Sequence, residues 1–339
     1  MSLLKSTYYN CSSALPLAFL KRLSPPTCLL PYHHIVSDED VWHIKHLYKY
    51  KNVSQFKNDL EILLKNFKPI SAQELIQHIS NNNKLPGNTF LLTFDDGFRE
   101  VHDVIAPLLE AKGIPAIFFI NPAFIDNKIL FYRSKASLLI HELLKNKNNR
   151  DLLRVSGEYL GSELNTIAEL IAIIKKLNDT DEALLNKLAQ KLSLSFEDYL
   201  IQKKPFLTTE QLISLNQKGF TIGAHSWNHP YYDKINLDNQ FEQTISSCNF
   251  VKETVKQKNV TFSFPYSDAA LSQNLFNKLK ETDIDLMFGI QNQKDELNNN
   301  MVHRFNAERP GVKLETQLKG MMLYMAIRKR LGKQKVIRN

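Results

Sequence analysis

Two short stretches of this chain carry side chains suited to hydrolytic chemistry. Thr93-Phe94-Asp95-Asp96-Gly97 ends an apolar run with adjacent carboxylates, and His225-Ser226-Trp227-Asn228-His229-Pro230 sets two imidazoles at i and i+4. One carboxylate and two imidazoles form a suitable ligand set for a divalent metal that keeps positions open for water and substrate. The other carboxylate is then free to act as a base beside that water. Each stretch alone has a plainer explanation: Asp-Gly commonly closes a strand, and a histidine pair can face solvent on a polar loop. Their joint occurrence weighs against both. Adjacent carboxylates cannot both stay ionised at close range without a compensating charge, which a divalent cation supplies. The histidines can share a metal from a helix or from a loop folded around it, and Pro230 argues against a helix beyond His229.

Such a site needs both stretches at one rim, and the surrounding pattern provides for that. Leu29 to Ile35 reads as a first strand, and Phe90 to Phe94 as a short strand that carries Asp95-Asp96-Gly97 at its C-terminal end. Catalytic groups collect at that end in parallel α/β architectures. A helix over Ser54 to Phe67, with Ser54 as its cap, and a second from Ser71, with Glu74 at the capping-box position, lie between them. A helix from about Arg99 to Lys112, stopped by Gly113, leads into a strand over Ile114 to Ile120. Strand-like runs recur at 220–222, 260–264, 286–290 and 301–305, and the histidines follow the first of these. Strand–helix–strand alternation points to a parallel sheet or barrel. Between Phe124 and Phe206 the pattern turns to helix-period leucines among Lys and Asn, a helical insertion longer than any ordinary loop. After it, Thr208 or Thr209 caps a returning helix.

Thr-Phe-Asp-Asp-Gly followed by His-Ser-x-x-His-Pro resembles the first two motifs of the polysaccharide deacetylases, the NodB-homology group of carbohydrate esterases. The resemblance implies an α/β fold, a distorted (β/α) barrel over residues 29–123 and 205–310. The helical insertion then spans 124–204, and a basic C-terminal tail spans 311–339. It implies Asp95 as general base, Asp96, His225 and His229 as ligands of one divalent metal, and hydrolytic removal of acetyl groups from an N-acetylated sugar. Zn²⁺ is the default for this ligand set, and Co²⁺, Ni²⁺ or Fe²⁺ also fit it. Phe262-Ser263-Phe264-Pro265-Tyr266 resembles the third motif, so Pro265 and Tyr266 are expected to shape the substrate groove and oxyanion site. Trp227, between the two histidines, reads either as a wall residue able to meet a sugar ring or as a core-packing residue.

The chain departs from that pattern in two places. Ser263 stands where many members carry an arginine that orients the base; Arg304, and after it Arg133, are the substitutes the sequence offers. The family's closing Leu-x-His is replaced by Met301-Val302-His303-Arg304. His303 is therefore the first expectation for the general acid, against an ordinary partly buried histidine; His33 or His34 on the first strand is the alternative, and His33 is expected among the substrate-binding residues.

The chain of 339 residues has a formal net charge of +8. A basic protein favours acidic partners: an anionic glycan, a membrane surface or nucleic acid. No arginine–aromatic interleaving or zinc-finger spacing occurs, so no nucleic acid is expected. Cys11, Cys28 and Cys248 form no framework and fit a reducing compartment. The 1–30 region, with Lys5 and an apolar run over 14–20, lacks the pattern of a secretory signal, and a cytoplasmic location is expected. Residues 317–339 hold seven Lys and Arg and no acid, beside Leu318, Met321, Met322, Leu323 and Met325. Either this is a solvated helix end, or it is an amphipathic anchor on an anionic inner membrane face, beside a lipid-linked glycan or glycolipid. Two rival functions remain at this point: hydrolysis of another C–N bond, such as a cyclic imide or small amide, and non-catalytic glycan binding.

Overall fold

The computed structural model describes residues 14–24, 28–82, 84–145, 150–161, 163–296 and 300–338; Lys5 and Cys11 lie outside them. The strands are β1 (Pro31–His33), β2 (Lys68–Pro69), β3 (Thr89–Phe90), β4 (Leu92–Phe94), β5 (Ala116–Ile120), β6 (Thr221–Ala224), β7 (Thr261–Ser263), β8 (Leu286–Gly289), β9 (Asp295–Glu296), β10 (Met301–His303) and β11 (Phe305–Asn306). β2 and β3 pair with each other, and the other nine form one sheet in the order β11-β1-β4-β5-β6-β7-β8-β10-β9. Every neighbouring pair is parallel except β9 with β10. Only Arg304 separates β10, which pairs with β8, from β11, which pairs with β1. One run of chain therefore joins the two edges and curls the sheet into a barrel. This is the distorted (β/α) barrel expected from the motifs.

The strands are short and apolar because both faces are covered, as parallel sheets require. Phe90, Leu92, Phe94, Phe118, Ile120, Ile222 and Phe262 are fully buried in the main core. The first long helix (Val53–Asn66) starts one residue before Ser54. Its cap is Asn52, whose side chain accepts from the Gln55 N–H while Gln55 returns a bond to the Asn52 N–H. Ser71 and Glu74 form the expected reciprocal cap. The expected helix over 99–112 is instead a π turn (Val101–Ile105) running into a short α-helix (Ala106–Glu110). Pro107 offers no N–H to the turn before it, so regular i→i−4 bonding cannot run through.

Between 132 and 203 the described residues form five α-helices, Tyr132–Lys145, Arg150–Leu160, Ile167–Ile174, Glu182–Lys191 and Phe196–Lys203. They enclose a separate cluster of Leu138, Leu139, Leu143, Leu170, Leu185 and Leu188 that also takes in Val41 and Ile44 from the loop after β1. The C-terminal region is not a free tail. Helix Leu314–Arg330 packs on Leu17–Leu23 and Val53–Asn66, with Leu318, Met321, Met322 and Met325 in the main core. The apolar half of the expected membrane anchor is thus spent inside the protein. Among the described residues no helix is long and apolar enough to cross a membrane.

Candidate active site

Asp95-Asp96-Gly97 leaves the C-terminal end of β4, and the histidine segment leaves the C-terminal end of β6, with β5 between the two in the sheet. Asp96 and Gly97 take φ of +75° and +66°. A left-handed bend turns the chain back across the rim, and a Cβ on Gly97 would press to 3.0 Å from Ile120. His225–Pro230 is a loop rather than a helix, with Ser226 and His229 also at positive φ. Ser226 Oγ accepts from the His229 N–H at 3.1 Å, which tightens the loop. The Asn121 amide, at the end of β5, donates to the carbonyls of His225 and Ser226. Left-handed non-glycine residues carry strain, and here they concentrate where ligands must point inward.

The result brings Asp96, His225 and His229 together, with their ligand atoms within 4.8 Å of one another. Asp96 Oδ1 lies 3.6 Å from His225 Nε2 and 3.3 Å from His229 Nε2. That oxygen is buried and has no hydrogen-bond partner. His225 Nδ1 lies 2.7 Å from the Ser263 carbonyl, which can only accept. The proton therefore sits on Nδ1, and the Nε2 lone pair faces Asp96. Burial lowers the His225 pKa to about 4, against the attraction of both carboxylates, so the ring is neutral as a metal ligand must be. Burial alone would raise Asp96, but the His229 imidazole, and after it His34 and His225, outweigh it and hold the carboxyl low. A buried carboxylate oxygen without a hydrogen-bond partner, facing two imidazole Nε2 atoms, fits a divalent cation.

Asp95 is held differently. The Arg304 guanidinium bonds both its oxygens, at 2.7 and 2.8 Å, and is itself fully buried. Burial would raise the Asp95 pKa; Arg304 overcomes it and keeps the carboxyl below the usual range. The same guanidinium donates to Thr93 Oγ1 at 3.0 Å and to Ser263 Oγ at 2.5 Å. Ser263 therefore does not mark a lost arginine, because the charge arrives from the seam between β10 and β11.

Not every expected residue lies at this rim. His303 is buried elsewhere, with Nε2 2.7 Å from Glu296 and Nδ1 3.8 Å from Asp268, and Arg338 bonds both carboxylates. It does not line the cavity and cannot reach a leaving group there. Asp268, Glu296 and His303 also have metal-like spacing, but Arg338 already supplies the cation. His33 is likewise behind the rim, stacked on Phe94 at 5.6 Å. Trp227 is 39% exposed and sits edge-on to Phe250, outside the cavity. Pro265 is buried beneath the rim, whereas Tyr266 lines the cavity.

The cavity, about 320 Å³, is bounded by Asp95, Asp96, His225, His229, His34, Tyr48, Arg133, Tyr231 and Tyr266 among others. Here His34, the alternative on the first strand, takes the place expected of His303. Its Nδ1 lies 2.8 Å from Glu308 Oε2, and Glu308 Oε1 accepts from the N–H groups of His34 and Ile35. Burial would lower the His34 pKa, but Glu308 outweighs it and raises the value to about 9. Tyr231 stacks on Tyr266 at 3.8 Å, and Tyr266 meets His229 edge-on at 4.5 Å. Sequence reasoning missed Glu308, Tyr48 and Tyr231, which no local motif marks.

The rim thus holds a paired base, a carboxylate with two imidazoles and a protonated histidine around one cavity, the equipment for hydrolysing an amide. Comparison with known proteins agrees. The barrel is similar to a deacetylase PplD from Streptococcus pyogenes, solved in complex with acetate, at 14% identity and a TM-score of 0.56 over 88% of this chain and 99% of that one. It is also similar to IcaB from Ammonifex degensii at 15% identity and a TM-score of 0.55, over 88% and 98%. At such identities the likeness establishes the shared fold. No curated protein sequence matches the chain. The profile described as polysaccharide deacetylase matches residues 82–287, more than half of the chain and inclusive of all four motif residues. On that match the chain belongs to the polysaccharide deacetylase family, as a hydrolase acting on non-peptide C–N bonds.

Proposed function

We propose that this enzyme removes the acetyl group from an N-acetylated sugar of a surface polysaccharide or glycolipid, with one divalent metal held by Asp96, His225 and His229. The observation that carries the metal is the buried, unpartnered Asp96 Oδ1 between two imidazole Nε2 atoms. When bound, such an ion would act as a Lewis acid toward the acetyl carbonyl and acidify water, Zn²⁺ being the default choice. Asp95, ionised and fixed by Arg304, accepts the proton of the attacking water. His34, protonated through Glu308, donates a proton to the leaving nitrogen. Tyr231 and Tyr266 present an aromatic wall against which a sugar ring packs, and they exclude water from beside His229.

The test combines metal content and product. Protein purified without chelators is expected to carry about one divalent ion per chain, and a His225→Ala/His229→Ala variant little. The metal-bearing protein is expected to release acetate from N-acetylated oligosaccharides. A protein that takes up neither Zn²⁺ nor Co²⁺ would return the chain to the glycan-binding reading. Metal uptake with hydrolysis of cyclic imides or small amides, and no acetate from any glycan, would replace the substrate.

A further inference from the structure

The cavity contains one cation that the hydrolytic machinery does not use. Asp95 is matched by Arg304 and His34 by Glu308, but Arg133 has no carboxylate partner among the described residues. Arg133 comes from the insertion, on helix Tyr132–Lys145, and reaches the cavity that β4, β6 and β7 build. Nη1 donates to the Tyr231 hydroxyl at 3.0 Å, and the guanidinium lies 5.9 Å from the Tyr266 ring centre. Tyr132 and Tyr266 share a hydrogen bond of 2.6 Å. These phenols fix the arm but leave most of the five guanidinium donors available. In the same cavity the Tyr48 hydroxyl is buried without any partner. A half-buried cation without a carboxylate, sharing its cavity with an orphaned hydroxyl, is costly unless something anionic completes it.

Position narrows what that is. The Tyr231–Tyr266 stack stands between Arg133 and His229, so the guanidinium sits two ring contacts from the metal ligands. A group bound there belongs to the sugar being deacetylated or to its immediate neighbour. We propose that the substrate is an N-acetylated sugar bearing an oxyanion, a carboxylate or a phosphate, next to the reacting unit, and that Arg133 selects it. This rests on the deacetylase reading and specifies its substrate class. Guanidinium pairs with either oxyanion through two parallel N–H···O bonds, which a neutral glycan cannot offer. The net charge of +8 would draw such a substrate toward the rim.

Binding tests this without turnover. NMR titration of the full chain compares three matched disaccharides: neutral diacetylchitobiose, its 1-phosphate, and the GlcNAc–MurNAc disaccharide with its lactyl carboxylate. One or both charged probes are expected to bind about 10- to 100-fold tighter than the neutral one, the range of charge-assisted hydrogen bonds. Arg133→Gln is expected to erase the preference, with the charged probes losing about 10- to 100-fold more affinity than chitobiose, and Arg133→Lys to restore part of it. Equal binding of all three probes, or an Arg133→Gln variant that weakens all three alike, would overturn the proposal. Acetate release measured in the same samples separates the two ideas. A charge preference without acetate sinks the deacetylase reading alone, whereas acetate without a charge preference sinks the role of Arg133 alone.

Discussion

Arg304 and Asp95 form a buried, two-pronged pair across the barrel, at 2.7 and 2.8 Å, although 209 residues separate them. The guanidinium comes from the single residue between β10 and β11, where the chain changes partners from β8 to β1. The base is therefore oriented by the same segment that closes the sheet. Arg304→Ala would leave Asp95 buried and unpaired, which costs about 3–5 kcal/mol when a buried pair loses one member. The charge-conserving Arg304→Lys cannot reproduce the planar fork or reach Thr93 and Ser263 as well. We expect both variants to lose about 100-fold or more in kcat, the scale of a mispositioned general base, with Arg304→Ala also melting earlier. Acetate release beside thermal unfolding checks this, and a fully active Arg304→Lys would contradict it.

Asn121 offers a second test, away from the reacting atoms. Its amide holds the carbonyls of His225 and Ser226, and its side chain is fully buried at the end of β5. Asn121→Ala frees the loop that carries both imidazoles while keeping every metal ligand. Groups that orient ligands typically account for about 10–100-fold in metal affinity. A chelator-competition titration with Zn²⁺ is expected to show a loss in that range, and unchanged affinity would mean the loop is held by Ser226 alone.

What could be read from the sequence was local. Asp95-Asp96-Gly97 and His225-x-x-x-His229 are compact patterns whose chemistry follows from residue type, and the structure brings them to one rim. Arg304 was nameable because it is an arginine near a strand end, although only closure of the barrel delivers it to Asp95. His34 with Glu308 was not readable, since that pair joins residues 274 apart through the β1–β11 contact. Arg133 belongs to the insertion, whose helical period fixes its own core but not which residue enters the cavity. The case of His303 is a matter of parity: neighbouring residues on a strand face opposite ways. Arg304 points to Asp95, so His303 points away from it, to Asp268 and Glu296.

Glu308 governs the alkaline limb of the pH profile. The folded His34 pKa is raised to about 9, with Glu308 outweighing burial, so the acid is present at neutral pH and lost as pH rises through that value. Stability from the pair follows the same sign: it is complete below the ordinary histidine value of about 6.5 and fades between there and the folded value. Glu308→Gln removes the largest opposing charge and leaves only Asp96 and Asp95 against burial, so the pKa falls from its folded value toward the ordinary one. At the ordinary histidine value of about 6.5, about one molecule in 30 carries the proton at pH 8, so kcat there is expected to fall by up to that factor and to return on acidification. A pH–rate profile of both proteins measures the shift. An unmoved alkaline limb would remove His34 from the role of acid.

His303 provides the complementary prediction, because structure and motif position disagree about it. Its imidazole is locked between Glu296 and Asp268, and Arg338 and Asp268 complete a buried network on the far side of the strand. His303→Gln keeps a polar group of similar reach but removes the ionisable ring from that network. If the residue supports the fold, unfolding should come earlier by up to about 3 kcal/mol, the scale of a broken buried pair. The folded fraction would keep its kcat and its pH profile. If it were the acid, kcat would drop by about 100-fold or more at unchanged stability, and His34→Gln would leave activity intact. Measuring kcat and thermal unfolding for the two variants side by side assigns the proton donor to one histidine and the structural role to the other, since His34 lines the cavity and His303 does not.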